Sequence, residues 1–175
     1  METVTVPAEN VTDVSDPYNL VVLSTNIFTG RVDDQSSAKA LGSMPETQYR
    51  VTTGLNVKGT APQTVTLNQQ GGRSGDRYIS FGGDRPLASG QWYLFFTRYL
   101  ARENWHTVIP VQGHKPLTPQ DANNPASVAV DAVVRTMLSN PDDHLRQTSR
   151  SQPPLTFPTP TPGQVFPPPS SPQPR

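Results

Sequence analysis

Hydrophobic and polar residues alternate between Gln48 and Lys58. A period of two residues is typical of a β-strand with one buried face and one exposed face. The predicted buried face comprises Tyr49, Val51, Leu55 and Val57. The predicted exposed face comprises Arg50, Thr52, Asn56 and Lys58. Because similar alternation recurs over about the first hundred residues, the sequence predicts a small all-β domain.

Other apolar stretches, bounded by Gly- and Pro-containing turns, predict further strands. These strands span residues 18–29, 64–69, 78–81, 90–97 and 104–112. The segment 30–46 is predicted to be a loop, or a strand end followed by a loop, and 71–76 is predicted to be a turn. Residues 90–97 are apolar on both faces, which indicates a central strand. We expect Trp92, Leu94 and Phe96 on one of its faces and Tyr93 and Phe95 on the other.

The apolar period changes to that of a helix over residues 125–139. Ser127 is a suitable N-cap, and the apolar side chains would share one helical face, comprising Val130, Val133, Val134, Met137 and Leu138. We therefore predict a mainly β fold, a five- to seven-stranded antiparallel OB-like barrel with one C-terminal helix. A β-sandwich is the alternative, because its strand pattern in a sequence is similar.

Proline is concentrated towards the C-terminal end of the sequence. Of the 20 Pro residues, 11 lie within 141–175. This segment has few apolar residues with which to offset the entropy of ordering. We predict a flexible N-terminal arm over 1–17, a β-barrel domain over 18–140 and a disordered Pro/Ser/Thr-rich tail over 141–175.

Charge and cysteine content exclude several functions. Lys plus Arg and Asp plus Glu are both 14, so the chain has no excess of cations for phosphate and nucleic acid is an unlikely partner. The absence of Cys excludes disulfides, thiolate catalysis and zinc sites with Cys ligands. The apolar run from Leu20 to Leu23 is too short for a membrane span or for a signal peptide, so we expect neither.

Four segments occur in an order that resembles a known family. They are the apolar first strand, Val57-Lys58-Gly59, a β-branched strand that runs into Gly71-Gly72, and the stretch from Leu87 to Phe96. Over about residues 18–113 the chain resembles the bacterial relatives of the netrin-module and tissue-inhibitor-of-metalloproteinases superfamily. The resemblance implies a five-stranded OB-type barrel, a binding module instead of an enzyme, and an extracytoplasmic location. The animal inhibitors bind zinc through an N-terminal Cys, and that mechanism has no counterpart in a chain without Cys.

The sequence offers no recognisable catalytic or metal constellation. His106, His114 and His144 lie in three different segments and lack metal-binding spacing. We expect His106 on a strand face and the other two in solvent. The pair Asp33-Asp34 has the residue type of a hydrolase or calcium site, but Asp is also common in loops for its local hydrogen bonds. We predict no catalytic residues, no metal and no cofactor.

Exposed arginines and aromatic residues are the best candidates for ligand contacts. On an OB-like barrel such side chains bind bases or sugars. The candidates are Arg50, Arg73, Arg77, Tyr78 and Trp105, and Trp105, Tyr99 and Tyr78 are the aromatic residues that we expect to be exposed.

The leading hypothesis is a non-catalytic binding module whose partner is a protein or a glycan. The alternatives are an OB-fold binder of single-stranded nucleic acid or oligosaccharide, and a small hydrolase. The Pro-rich tail is a candidate ligand for Pro-recognising domains.

Overall fold

The computed structural model of the chain describes residues 2–8 and 13–139. These residues form eight strands and three helices. The strands are β1 Glu2–Val6, β2 Asn26–Ser37, β3 Glu46–Lys58, β4 Thr64–Ser74, β5 Arg77–Phe81, β6 Trp92–Leu100, β7 Trp105–Val108 and β8 His114–Leu117. The helices are α1 Pro17–Leu23, α2 Pro119–Ala122 and α3 Val128–Ser139.

Five of the strands close into a barrel. Around the ring they follow the order β2, β3, β4, β7 and β6, and β6 pairs with β2 again. Every pair in the ring is antiparallel except β4 with β7, which is parallel and closes the barrel. The predicted barrel is thus confirmed, and the sandwich alternative is wrong. The predicted pairing of β3 with both the first strand and the third is also confirmed.

Strand β6 separates two hydrophobic interiors. The barrel interior contains Tyr93 and Phe95, together with residues of the other barrel strands. The second interior lies between the barrel and the helices α1 and α3, and it contains Leu94 and Phe96. The prediction that alternate residues of this strand point to opposite buried faces is confirmed, although Trp92 is only half-buried.

The first predicted strand, 18–29, is wrong in its N-terminal half, which forms helix α1. The Asp16 carboxylate accepts a hydrogen bond from the amide of Tyr18 at 2.9 Å, and Pro17 occupies the first turn. This N-cap and proline favour a helical start, because they satisfy or remove free amide donors. The apolar residues Leu20 and Val21 then face the second interior from the helix.

Strand β2 continues to Ser37, so the alternative of a strand end followed by a loop is the one observed. The loop that follows covers the outer surface of β3. There the side-chain oxygen of Gln48 accepts from the amide of Lys39 at 2.6 Å, and its nitrogen donates to Asn68 Oδ1, also at 2.6 Å. Gln48 and Asn68 are consequently buried, although both lie on the outer face of the barrel.

The predicted buried and exposed faces of β3 are separated most clearly at residues 49–51, where Arg50 is exposed between two buried residues. Tyr49 and Val51 are buried in the barrel interior, whereas Leu55 and Val57 are half-buried. Lys58, expected on the exposed face, is half-buried and donates from Nζ to the carbonyl oxygen of Val21 at 2.8 Å. Burial lowers the pKa of Lys58 to about 8.

The turn predicted at 71–76 is confined to Gly75 and Asp76, because β4 continues through Gly71 and Gly72 to Ser74. Gly71 has a φ of 108°, a conformation that favours glycine. The pairing of β4 with β3 ends at Gln70, and from Gly71 onward β4 pairs with β5, which in turn pairs with β1. We call these three paired segments the side sheet. The arm predicted over 1–17 therefore contains a strand, Glu2–Val6.

The C-terminal helix is confirmed as α3. Val130 and Val133 are buried, Asp131 pairs with Arg135 at 2.7 Å, and Leu138 is exposed. The predicted last strand ends early at Val108, and β8 was not predicted. The predicted tail, with its candidate binding to Pro-recognising domains, lies outside the described residues.

Candidate functional site

The barrel opens into a cleft where its closing pair ends. Strands β4 and β7 pair through only two residue pairs, Leu67 with His106 and Asn68 with Thr107. On one side of these pairs the strands separate and leave a cleft of about 550 Å³. The residues that matter for its chemistry are Arg50, Thr60, Thr64, Thr66, Tyr99 and His106. The closure of the barrel thus brings together residues from all five barrel strands and from the β3–β4 and β6–β7 connections.

Tyr99 is an exposed aromatic residue that the fold holds in place. The β6–β7 hairpin turns at Asn104, whose φ of 53° is tolerated by asparagine. The Tyr99 hydroxyl donates to Asn104 Oδ1 at 2.8 Å, and its amide donates to Thr25 Oγ1 at 2.7 Å. The ring lies 4.9 Å from the ring of His106, measured between centroids. Tyr99 is 44% exposed, so its ring is available to a ligand without rearrangement.

His106 forms an uncharged wall behind Tyr99. It lies on a strand face, as predicted, and is buried, with only 4% of its surface exposed. Its ring meets Phe28 edge-on at 5.4 Å, and its Nδ1 lies 3.4 Å from Thr97 Oγ1. Burial lowers the pKa of His106 to about 4, so the imidazole is neutral near pH 7.

The stability of the fold is expected to decrease from pH 6.5 to pH 4 because of this residue. An imidazole in the unfolded chain titrates at about pH 6.5, whereas the pKa of His106 in the fold is about 4. Between these values mainly the unfolded state binds the proton, so this contribution is present above pH 6.5 and is lost as the pH falls. With solvent screening allowed for, we expect a loss of about 2 kcal/mol.

Urea denaturation at about pH 7 and at about pH 4.5 measures this effect. The variant His106→Phe keeps an aromatic ring against Phe28 and should show a smaller loss of stability in acid. Burial also lowers the pKa of His114, so some loss of the same sign remains in the variant. An acid loss equal to that of the parent chain would contradict the assignment to His106.

Arg50 reaches the cleft, but its charge is balanced. Its guanidinium pairs with Asp34 at 2.8 Å and approaches Asp33 to 4.0 Å. Asp33 also pairs with Arg31 at 3.0 Å and accepts from the Thr52 hydroxyl at 2.8 Å. The two adjacent aspartates are thus engaged with arginines, and the cleft gains no strong positive potential.

Threonine hydroxyls line the opposite wall of the cleft. Thr64 and Thr66 alternate with the barrel-interior residues Val65 and Leu67, so they face outward. Thr60 precedes them in the β3–β4 connection. Within the described part of the chain, the hydroxyls of these three threonines make no hydrogen bond to the protein. They are therefore available as donors and acceptors to a ligand.

The other predicted contact residues lie away from this cleft. Arg73 and Tyr78 are register partners in the side sheet, and Arg77 pairs there with Glu2 at 3.2 Å. Burial, followed by the nearby Asp84 charge, raises the pKa of Tyr78, which is half-buried. The prediction that Trp105 is exposed is wrong, because the indole is buried with the Lys39 ammonium 5.7 Å from its centroid.

The prediction of a solvated His114 is also wrong. The residue is half-buried, and its ring lies 5.8 Å from that of Tyr93. His144 lies outside the described residues. Within residues 2–8 and 13–139, no group of three or more His, Cys, Asp or Glu side chains is arranged to hold a metal ion.

The sequence named one residue of the cleft as a contact, Arg50, predicted only that Tyr99 is exposed, and gave no indication of the polar wall. Thr60, Thr64, Thr66 and Asn104 are ordinary surface residues in the sequence, and only barrel closure brings them together. For Asn104 the sequence held one local signal of a turn, because asparagine is common at turn positions in short hairpin loops.

No protein-family model matches the chain, and a search of curated proteins finds no match. In the part of the chain that the structure describes, no helix combines the length and the apolar character required to span a bilayer.

Proposed function

We propose that the chain is a non-catalytic binding module that holds a neutral oligosaccharide in the cleft between β4 and β7. The observation that carries this proposal is the fixed, exposed ring of Tyr99, which lies beside a buried neutral imidazole and shares the cleft with threonine hydroxyls. An exposed aromatic ring offers a flat apolar surface to the C–H face of a sugar ring. Hydroxyls and amides exchange hydrogen bonds with sugar hydroxyl groups in either direction.

The size of the cleft suits a ligand of a few sugar units. Binding sites for small ligands have volumes of about 300–1,000 Å³ and a small number of polar groups that fix orientation. The cleft of about 550 Å³ falls within this range. Barrels of the OB type are known to bind oligosaccharides as well as oligonucleotides, and the closed strand order here supports such a comparison.

Charge favours a neutral ligand over nucleic acid. A phosphate chain is bound mainly through unpaired cations, whose neutralisation of phosphates releases counterions. Arg50, the one arginine among the described residues that line the cleft, already pairs with Asp34. The chain as a whole also has equal numbers of acidic and basic residues. Single-stranded nucleic acid is therefore the second ligand to test.

The chemistry of the lining residues favours binding over hydrolysis. Glycoside hydrolysis usually requires two carboxyl groups on either side of the scissile bond. None of the described residues that line the cleft is Asp or Glu. The one imidazole there, His106, has a pKa of about 4 and is a weak base.

Titration of the full chain with neutral oligosaccharides, followed by calorimetry or by NMR, tests the proposal. Tyr99→Ala should weaken binding at least about fivefold, since stacking on an aromatic residue contributes about 1–3 kcal/mol. Thr66→Val, which removes only the hydroxyl, should weaken binding about fivefold. Arg135→Ala, an exposed change on α3, is the control and should leave affinity unchanged.

Two outcomes would overturn this function. In the first, single-stranded DNA binds with an affinity that falls steeply with salt and depends on Arg50, while oligosaccharides do not bind. In the second, the chain hydrolyses an oligosaccharide, and the loss of Asp33 or Asp34 abolishes that activity.

A further inference from the structure

The side sheet ends in a strand that is attached through one edge. Strand β1 runs parallel to β5, with Glu2 opposite Arg77 at one end and Val6 opposite Phe81 at the other. At the far end the amide of Gly82 donates to the carbonyl oxygen of Val6 at 2.8 Å. In the described part of the chain, β1 has no strand partner other than β5.

Strand β1 belongs to neither hydrophobic interior. The residues of both interiors come from Val14 onward. Within β1 only Val4 and Val6 are half-buried, and Glu2, Thr3 and Thr5 are exposed. The strand is therefore held mainly by its main-chain ladder, the type of contact by which an added peptide strand binds a sheet edge.

The edge of β5 is shaped to receive the end of this strand. Gly82 follows β5 with a φ of 63°, which favours glycine. A Cβ at this position would lie 2.9 Å from the Cβ of Ala8 and would collide with the side chain of Val111. The missing side chain thus leaves room for the segment that follows β1.

The side chains of the β5 edge match β1 in particular. The opposed pairs are Glu2 with Arg77, Val4 with Ile79 and Val6 with Phe81. The first pair is ionic, with its charged atoms 3.2 Å apart, and the other two are apolar. Opposite charges and apolar pairs at facing positions stabilise strand pairing and fix its register.

We propose that the β5 edge accepts β1 of a second copy of this chain, so that two chains exchange their first strands. Each exchanged strand makes in the partner the contacts that it makes in its own chain, so the exchange loses no pairing in the side sheet. Strand β1 ends at Val6, and residues 7–16 connect it to helix α1. Reciprocal exchange gives a symmetric dimer that is closed to further growth.

Disulfide trapping between two full chains tests this exchange, because the natural sequence has no Cys. One chain carries Thr3→Cys and the other carries Tyr78→Cys, at positions that are register partners. Incubation at high concentration, followed by mild oxidation, should give a covalent mixed dimer. The control pair, Thr3→Cys with Arg135→Cys, places the second thiol on α3 and should give only background. Equal yields from the two pairs would overturn the proposal.

Two proline variants distinguish edge pairing from general contact. The carbonyl of Val6 faces β5, and since alternate residues of a strand face the same edge, the amide of Val4 faces β5 while that of Thr5 faces outward. Val4→Pro in the Thr3→Cys chain should abolish trapping, whereas Thr5→Pro should leave the yield within about twofold. Equal effects of the two variants would overturn edge pairing.

The identity of the occupant is tested by competition. A peptide of the sequence Glu2 to Ala8 should reduce trapping, and a peptide with Val4→Ser and Val6→Ser should do so at least about tenfold less efficiently. Equal competition by both peptides would mean that the edge accepts any extended strand, which would overturn the assignment to a second copy.

Discussion

Replacing Gly113 by alanine is expected to destabilise the fold by about 3 kcal/mol or more, because the added methyl group has no space. The Gly113 amide donates to the carbonyl oxygen of Ile109 at 2.8 Å, which closes a tight turn. The carbonyl of Gly113 in turn accepts from the amide of Phe96 at 2.8 Å. A Cβ here would overlap the Ile109 oxygen and lie 2.6 Å from the Ile109 nitrogen. These are main-chain atoms, so the turn itself would have to open.

Gly42→Ala is the matched control. Gly42 has no atom within 4 Å of the position of an added Cβ, and its backbone is not left-handed. The same change should therefore alter stability by less than about 0.5 kcal/mol. Urea denaturation of both variants beside the parent chain measures the difference. A loss below about 1 kcal/mol for Gly113→Ala would contradict the tight turn described here.

Phe95→Ala is expected to cost about 4 kcal/mol, because it empties the centre of the barrel interior. Phe95 is fully buried, and its ring centroid lies 5.8 Å from that of Phe28 and 5.4 Å from that of Tyr93. A closed ring of five strands has limited freedom to collapse around the space that the missing ring leaves. Removing a buried phenylalanine loses its transfer free energy and also leaves a cavity.

Leu138→Ala removes a large apolar side chain that is 74% exposed, and it serves as the control for this change. Its effect should remain below about 0.5 kcal/mol. Urea denaturation measures both effects. A lower midpoint with an unchanged slope of unfolding free energy against urea concentration indicates lost stability, whereas a changed slope indicates a changed unfolded state. If both variants lose equal stability, Phe95 does not occupy the barrel interior as described.

The sequence predicted those elements whose pattern is decided by near neighbours along the chain. Alternation identified β3, and the continuous apolar run identified β6 with its two buried faces. Helix α3 was visible in its three- and four-residue spacing. In each case, burial on one or two faces imposes the period of the element directly on the residue types.

Elements whose pattern is ambiguous or set by distant residues were missed. The run from Leu20 to Val22 fits a strand or a short helix equally, and the deciding signal was the Asp16-Pro17 start. Gln48 and Asn68 appear in the sequence as exposed polar residues, yet the loop containing Lys39 buries them with hydrogen bonds. Such burial depends on a loop conformation that alternation does not encode.

The cleft was only partly predictable for the same reason. Arg50 and Tyr99 were recognisable as exposed residue types that contact ligands. Their neighbours in space depend on the parallel pairing of β4 with β7, between positions about forty residues apart. The charge of Arg50 could not be assessed from the sequence either, since its pairing with Asp34 follows from the register of β2 on β3.

The two faces of β6 also bear on how this protein can change during evolution. Tyr93 and Phe95 are constrained by the barrel interior, whereas Leu94 and Phe96 are constrained by the helices that cover the barrel. The two faces pack against different sets of side chains, although their residues are neighbours on one strand. A sequence change in the helical cover therefore meets Leu94 and Phe96 first, while the side chains that fill the barrel interior keep their own partners.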